Sequence, residues 1–400
     1  MTETAPSPPT SAPPRNEVGA TAQLLAHAVD VLSGPVQGTH RAIAGHVFRA
    51  LGPVAAPVRS LHDVVSEVSY AGVRVGVRAA ADLVSGVSDE LPPERVSHTL
   101  TSTAAGSVLI GAVNGLLGDQ LVTDGNQLAV ELGPHHQRKM VGTDTALLAT
   151  ANPKATGHVV VFVHGLGETE QAWWYRHQGR GSHGEHLAGL GVTPVVLRYN
   201  TGRPIAENGA ALSELIGALR QSWPVELTRI DLVGHSMGGL VVREACQQPT
   251  AEQWLELVRT ACYLGTPHEG APLATGVHGL AKVLRRRAES QSWAELLDVR
   301  SAGIDDLRRA NRLPLAPGIR HVGVTATLGA NPEARWSAAV GDGLVPLASA
   351  RGPLTELHVL PRTGHLALLS HPRVSEVLAE LVVWDSSPDE VDANTEAERA

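Results

Sequence analysis

Two periodicities divide the chain. Before residue 119, apolar side chains recur three and four positions apart. Val54, Val58, Leu61, Val64, Val65 and Val68 fall on one helical face, with Arg59, Asp63 and Glu67 on the other. Pro35, Pro53 and the Pro92-Pro93 pair cut the stretch 17–118 into roughly four helices. No repeat of fixed period is visible. From Asp119 onward, short β-branched runs alternate with amphipathic stretches, the pattern of parallel strands joined by crossover helices. The runs are 159–163, 194–197, 230–233, 261–264, 321–325 and 357–360. They are continuously apolar, as strands buried on both faces are. Leu212, Leu215, Ile216 and Leu219 form one helix stripe between them, and Val374, Val377, Leu378 and Leu381 another. Residues 128–132 and the stretch around 140–143 are candidate antiparallel edge strands.

The domain plan follows from these changes of pattern. Residues 1–16, rich in Pro, Ser and Thr, and the acidic residues 386–400 read as disordered tails. Residues 17–118 form a helical region and 119–385 the α/β domain. Within the latter, about 270–320 is too long for a simple connection and reads as a helical cap, with helices at 283–289 and 292–297. Arg285-Arg286-Arg287 in that cap reads as a solvated helix face.

Composition narrows the function classes. Hydrophobic residues make up 43% of the 400, enough for a sizeable core. The net charge is −8, and six acids against one base from Asp385 onward supply −5 of it. There is no basic stripe, so no nucleic-acid partner is expected. Two cysteines, Cys246 and Cys262, make no disulfide framework and have no metal-ligand spacing. The first residues have neither a basic nor an apolar signal region, which sets the expected location as cytoplasmic. Residues 96–118 are free of formal charge but rich in Gly, Ser and Thr, so a helix buried in protein is expected over a membrane span. The small-residue helices of 17–118 point to packing on the α/β body, to self-association or to peripheral membrane contact.

The chemistry is concentrated in a few glycine-flanked motifs. Gly234-His235-Ser236-Met237-Gly238 sits between a strand and a helical run, where a sharp turn would hold the Ser236 hydroxyl at the carboxyl edge of the sheet. His164-Gly165-Leu166-Gly167 directly follows another strand. Acyl transfer needs two N–H donors for the developing oxyanion, and the backbones of Met237 and Leu166 are the candidates. A serine nucleophile also needs a base and an orienting acid, in the chain order Ser, acid, His. His365 follows the last strand, and Asp342 lies in a glycine-flanked loop before it. Asp305 and Asp306 sit in a charged helical stretch and read as a solvated face. His268, in Thr266-Pro267-His268-Glu269, reads as a loop-shaping residue. Trp173 and Trp174 are candidates for lining a substrate pocket.

With Leu264-Gly265-Thr266-Pro267-His268-Glu269-Gly270, Gly341-Asp342-Gly343-Leu344-Val345-Pro346 and Gly364-His365, these motifs make the chain from about 119 to 383 resemble the α/β-hydrolases of the esterase/lipase kind. The resemblance extends to bacterial triacylglycerol lipases and to deacylases acting on GPI anchors. It implies an α/β-hydrolase fold: a mostly parallel central sheet flanked by helices, here with an N-terminal all-helical extension and a helical cap. It also implies a Ser236–His365–Asp342 triad, an oxyanion hole from Leu166 and Met237, and no metal or organic cofactor. The expected activity is hydrolysis of small-molecule or lipid carboxylic esters with an apolar acyl part. The same triad serves thioester or amide hydrolysis and acyl transfer, and a non-catalytic lipid- or partner-binding module is the rival from another class.

Overall fold

The computed structural model describes residues 104–175, 181–270, 301–307, 309 and 313–383, with Glu67, Val75, Arg78, Ala79 and Asp82 as isolated positions. The expected tails, the cap helices at 283–289 and 292–297, and Arg285-Arg286-Arg287 lie outside the described residues, as do the helices before residue 104 apart from those five positions.

Eight strands form one sheet in the order β2-β1-β4-β3-β5-β6-β7-β8. They are β1 (Gly133–His136), β2 (Lys139–Met140), β3 (His158–Val163), β4 (Thr193–Arg198), β5 (Arg229–His235), β6 (Val258–Leu264), β7 (Arg320–Thr327) and β8 (Glu356–Pro361). Strands β3 to β8 run parallel to one another, and β1 lies antiparallel to β4 towards the edge. The helices are α1 (Ala104–Thr123), α2 (Thr145–Ala151), α3 (His183–Ala188), α4 (Ile205–Ser222), α5 (Met237–Ala245), α6 (Ala302–Leu307), α7 (Arg335–Val340), α8 (Leu347–Arg351) and α9 (Pro372–Val383).

Each of the six apolar runs lies inside one of the strands β3 to β8, because both faces of this sheet are covered. Val159, Val161 and Val163 of β3 pack with Leu212, Ile216 and Leu240 of α4 and α5. Val160 and Phe162 point the other way, into a cluster with Leu187 of α3 and Val374, Val377 and Leu381 of α9. Alternating side chains of one strand thus enter two cores, and neither face is left for polar residues.

At the edge the expectation needs correction. Residues 128–132 form no strand, and the edge strand is Gly133–His136, whose sequence Gly-Pro-His-His carries no alternation of apolar and polar side chains. It joins β2 through Gln137 (φ 48°) and Arg138 (φ 66°), two left-handed residues that match the twist of a tight hairpin.

Helix α1 spans the 118/119 position. The chain divides into two compact units, and Thr101–Asp119 belongs to the same unit as the sheet. Of the other unit, only Gln120–Ala129 and the five isolated positions are described. The physical reason is a glycine face on α1. A Cβ added to Gly111 would come within 2.8 Å of the carbonyl oxygens of Gly167 and Glu168, and one on Gly115 within 2.9 Å of the Gly167 Cα. Polar contacts fix the helix on the loops it touches. Asn200 Nδ2 donates to the Gly118 carbonyl (2.9 Å), Ser301 Oγ to that of Gly115 (2.6 Å), and the Ala302 N–H to Asp119 (2.9 Å). Ser107 Oγ accepts from Arg198 (2.8 Å), whose guanidinium also forms a buried pair with Glu170 (2.7 Å). Among the described residues, no helix is long and apolar enough to cross a membrane.

Candidate active site

The chain leaves β3 towards β4 on one side and returns to β5 on the other, so the crevice between the carboxyl ends of β3 and β5 is the switch point of the sheet. Both glycine motifs meet there. Ser236 sits between β5 and α5 at φ 52°, ψ −122°, a backbone conformation that non-glycine residues adopt only when their surroundings impose it. The surroundings are bare backbone. A Cβ on Gly234 would collide with Gly239, and one on Gly238 with the carbonyls of Val163 and His164. A Cβ on Gly165 would lie 3.0 Å from the Ser236 Cβ, so the two loops touch where the hydroxyl is.

Asp342 and His365 are brought together from separate loops. His365 Nδ1 lies 2.7 Å from Asp342 Oδ2, and both side chains are buried. The other carboxylate oxygen accepts from the N–H groups of Leu344 (2.9 Å) and Val345 (2.8 Å). The His365 N–H donates to the Asp342 carbonyl at 3.0 Å. An imidazole that donates from Nδ1 to a carboxylate keeps Nε2 available as an acceptor. Gly265, at φ 58°, lets this pair in: a Cβ there would lie 3.1 Å from both Asp342 Oδ2 and His365 Cε1. The His365 ring stands 4.8 Å from that of His235, the residue before Ser236.

The loop after β3 has its N–H groups almost fully committed. Gly165 donates to Glu168 Oε2 (2.7 Å), Gly167 to Thr201 Oγ1 (3.0 Å) and Glu168 to the Gly165 carbonyl (3.2 Å). Among the described residues, the N–H groups of Leu166 and Met237 have no acceptor. His164 roots the loop. Its Nδ1 bonds the Gly165 carbonyl (3.0 Å), its Nε2 accepts from the Tyr199 N–H (3.3 Å), and its carbonyl accepts from the Tyr199 hydroxyl (2.8 Å). Burial pushes this histidine down to about 4, so it stays neutral near pH 7.

Trp173 is fully buried, its ring 4.8 Å from that of Phe162 and, edge-on, 6.5 Å from that of His235. Trp174 is 37% exposed and lines a cavity of about 120 Å³ with His135, Pro194 and Trp223, whose walls include none of Ser236, Leu166, Met237, Asp342 or His365. Asp306, expected on a solvated face, accepts from the Ile205 N–H (2.9 Å) at the start of α4. His268 is buried, bonded to Arg243 at 3.0 Å, and pushed down to about 3 by burial and by that guanidinium. Among the described residues, no group of three or more His, Cys, Asp or Glu side chains could hold a metal ion. The reading of motifs passed over Glu168 and His235, which bond each other beside Ser236. A carboxylate three residues after Gly165 is the local signal that could have marked the first of them.

The fold is similar to that of the mature lipase BlEst2 of Bacillus licheniformis, with 19% identity over 56% of this chain and 91% of that one, and a TM-score of 0.43. It is also similar to the metagenomic carboxyl esterase MGS0156 (19% identity, 61% and 76% of the two chains, TM-score 0.37). A third similar structure is the esterase Pf2001 of Pyrococcus furiosus (14% identity, 57% and 85%, TM-score 0.37). No curated protein matches the chain. The sequence pattern of the alpha/beta hydrolase family matches residues 160–375, more than half of the chain and the span from β3 to α9 that holds the site, and the protein therefore belongs to that family.

Proposed function

We propose that the protein is a serine hydrolase that cleaves carboxylic esters with an apolar acyl part. The observation that supports this reading best is the Asp342–His365 bond of 2.7 Å, with the His365 ring 4.8 Å from that of His235, the residue before a serine held at φ 52°. In the proposed reaction, Ser236 Oγ attacks the ester carbonyl while His365 Nε2 takes its proton. Asp342 keeps the imidazole in the required tautomer and stabilises the imidazolium. The uncommitted N–H groups of Leu166 and Met237 receive the oxyanion of the tetrahedral intermediate. The imidazolium then protonates the departing alcohol, leaving an acyl-Ser236. Water, deprotonated by the same nitrogen, attacks that acyl group and releases the acid, and the proton returns to Ser236. The apolar acyl preference rests on exposed side chains flanking the acid and the base, Leu344 (45%) and Leu366 (61%).

Reaction with a fluorophosphonate probe, followed by turnover of p-nitrophenyl esters of increasing acyl length, tests the proposal. Labelling mapped to Ser236, with kcat/KM rising from acetate to a longer acyl chain, is expected. Labelling that persists in Ser236→Ala would refute the nucleophile. Turnover confined to thioesters or amides would replace the ester reading with another reaction of the same triad.

A further inference from the structure

Two side chains next to Ser236, one buried and one partly buried, have no part in the reaction as written. His235, with no exposed surface, precedes the nucleophile, and Glu168 follows the Leu166 loop. The Glu168 carboxylate lies 3.0–3.1 Å from His235 Nδ1 and also accepts the Gly165 N–H at 2.7 Å. On the opposite side of the ring, His235 Nε2 lies 3.4 Å from the His365 carbonyl oxygen. With Glu168 ionised, each ring nitrogen therefore faces an acceptor that cannot donate. A neutral imidazole has one N–H and would leave one of these contacts as two lone pairs face to face, whereas the doubly protonated ring satisfies both. We propose that Glu168 and His235 are positioning residues that lock the oxyanion loop and the base to the nucleophile turn through one partly buried ion pair.

The geometry connects three otherwise separate segments. Glu168 closes the loop on Gly165, so Leu166 is held between two fixed points with its N–H free for the substrate. His235 holds the His365 backbone from the side opposite its bond to Asp342. Burial is the largest single influence on the His235 ring and pulls it toward neutrality, but the Glu168 carboxylate, the His365 carbonyl and Asp342 together raise its pKa. Burial likewise favours a neutral Glu168, and His235, the Gly165 N–H and His164 together lower that carboxyl. The titratable groups facing His235 are Glu168, His365, Asp342 and His183. The inference rests on the Ser236 reading above, and its test separates the two.

The experiment uses the full chain, with Glu168→Ala, Glu168→Gln and wild type assayed on p-nitrophenyl butyrate. Glu168→Ala should lose about 10²-fold in kcat, the effect of losing one oxyanion donor, with KM nearly unchanged. Glu168→Gln should recover most of that loss, because its amide oxygen can still accept from Gly165 while its NH₂ donates to a neutral His235. This variant also keeps the test open if the alanine protein fails to fold. Ring ¹⁵N shifts provide a readout independent of turnover: both His235 nitrogens protonated at pH 8 in wild type, and one in Glu168→Gln. A wild-type kcat in Glu168→Ala, equal impairment of both variants through KM, or a singly protonated wild-type ring would each overturn the proposal. A wild type that fails to react with fluorophosphonate would instead remove the triad reading, and the ring shifts would still decide whether the ion pair exists.

Discussion

Helices α5 and α1 both press bare backbone against the loops of the site, but the sequence announces them very differently. Helix α5 begins at the residue after Ser236, and its glycines, Gly238 and Gly239, leave no room for a Cβ against β3 and Thr266. Its strand-turn-helix context makes it recognisable at once. Helix α1 rests Gly111 and Gly115 on the loop that carries Leu166, and its apolar side chains do not mark that face. Val108 (54%) and Leu116 (51%) are exposed, while Ile110 is buried in company with Ser107, Asn114 and three glycines. Hydrophobic periodicity finds the side of a helix that buries large side chains. It is faint where the buried side is built mostly from small and polar ones.

If α5 carries chemistry and α1 only geometry, substitutions on the two sides should differ in kind. The largest loss should come from Ser236→Ala, about 10⁴–10⁶ in kcat with an unchanged thermal midpoint, because one small hydroxyl is removed. Asp342→Asn should follow at about 10⁴, from loss of the imidazole tautomer. Near-normal turnover in either variant would end the assignment of chemistry to this side. On the other side, Gly111→Leu should lower stability by about 1–3 kcal/mol through overpacking against the Gly167 and Glu168 carbonyls. Its kcat should fall by about tenfold, the smaller loss expected when a donor is displaced rather than removed. A Gly111→Leu protein with lowered stability and wild-type kcat would show that α1 supports the fold without touching the reaction.

Acid should expose the root of the same loop. His164 and His183 are pushed down to about 4 by burial, whereas an unfolded histidine titrates near 6.5. Between these values the unfolded chain binds more protons, so stability rises with pH there and is lost as pH falls from about 6.5 to about 4. The lowered carboxyl of Glu168 acts in the same direction, since its contribution also disappears in acid. Thermal midpoints measured from pH 8 to pH 4 should fall across that window, and a flat profile would contradict neutral, buried imidazoles. The smallest effect serves as a control. Asp144 accepts from the N–H groups of Ala146 and Leu147 at the start of α2, so Asp144→Ala should cost about 1 kcal/mol. Its kcat should not change, which distinguishes the α1 effect from a general loss of stability.

What was legible followed from local physics. Strands β3 to β8 could be read because two covered faces produce continuous apolar runs. Ser236, Asp342 and His365 stood out because each needs glycine beside it to reach the sheet edge. Edge strand β1 was misplaced because its partner, β4, is more than fifty residues away and Gly-Pro-His-His has no strand pattern of its own. The adjacent tryptophans could not be told apart in sequence, since one buries its ring on Phe162 and the other lies at the surface. Glu168 and His235 were missed for a related reason. Their contact spans 67 positions, and nothing local distinguishes a histidine that will be buried beside a carboxylate.

The glycine face of α1 also bears on how such a protein can be recombined. The family pattern begins at residue 160, and every proposed reacting group lies downstream of it. Yet the backing of the Leu166 loop comes from residues 111 and 115, outside that pattern. An exchange of gene segments at the edge of the pattern would transfer all of the reacting groups while separating the loop from the surface that shapes it. The heritable unit is therefore longer than the recognisable one, and its upstream limit is set by a few missing side chains.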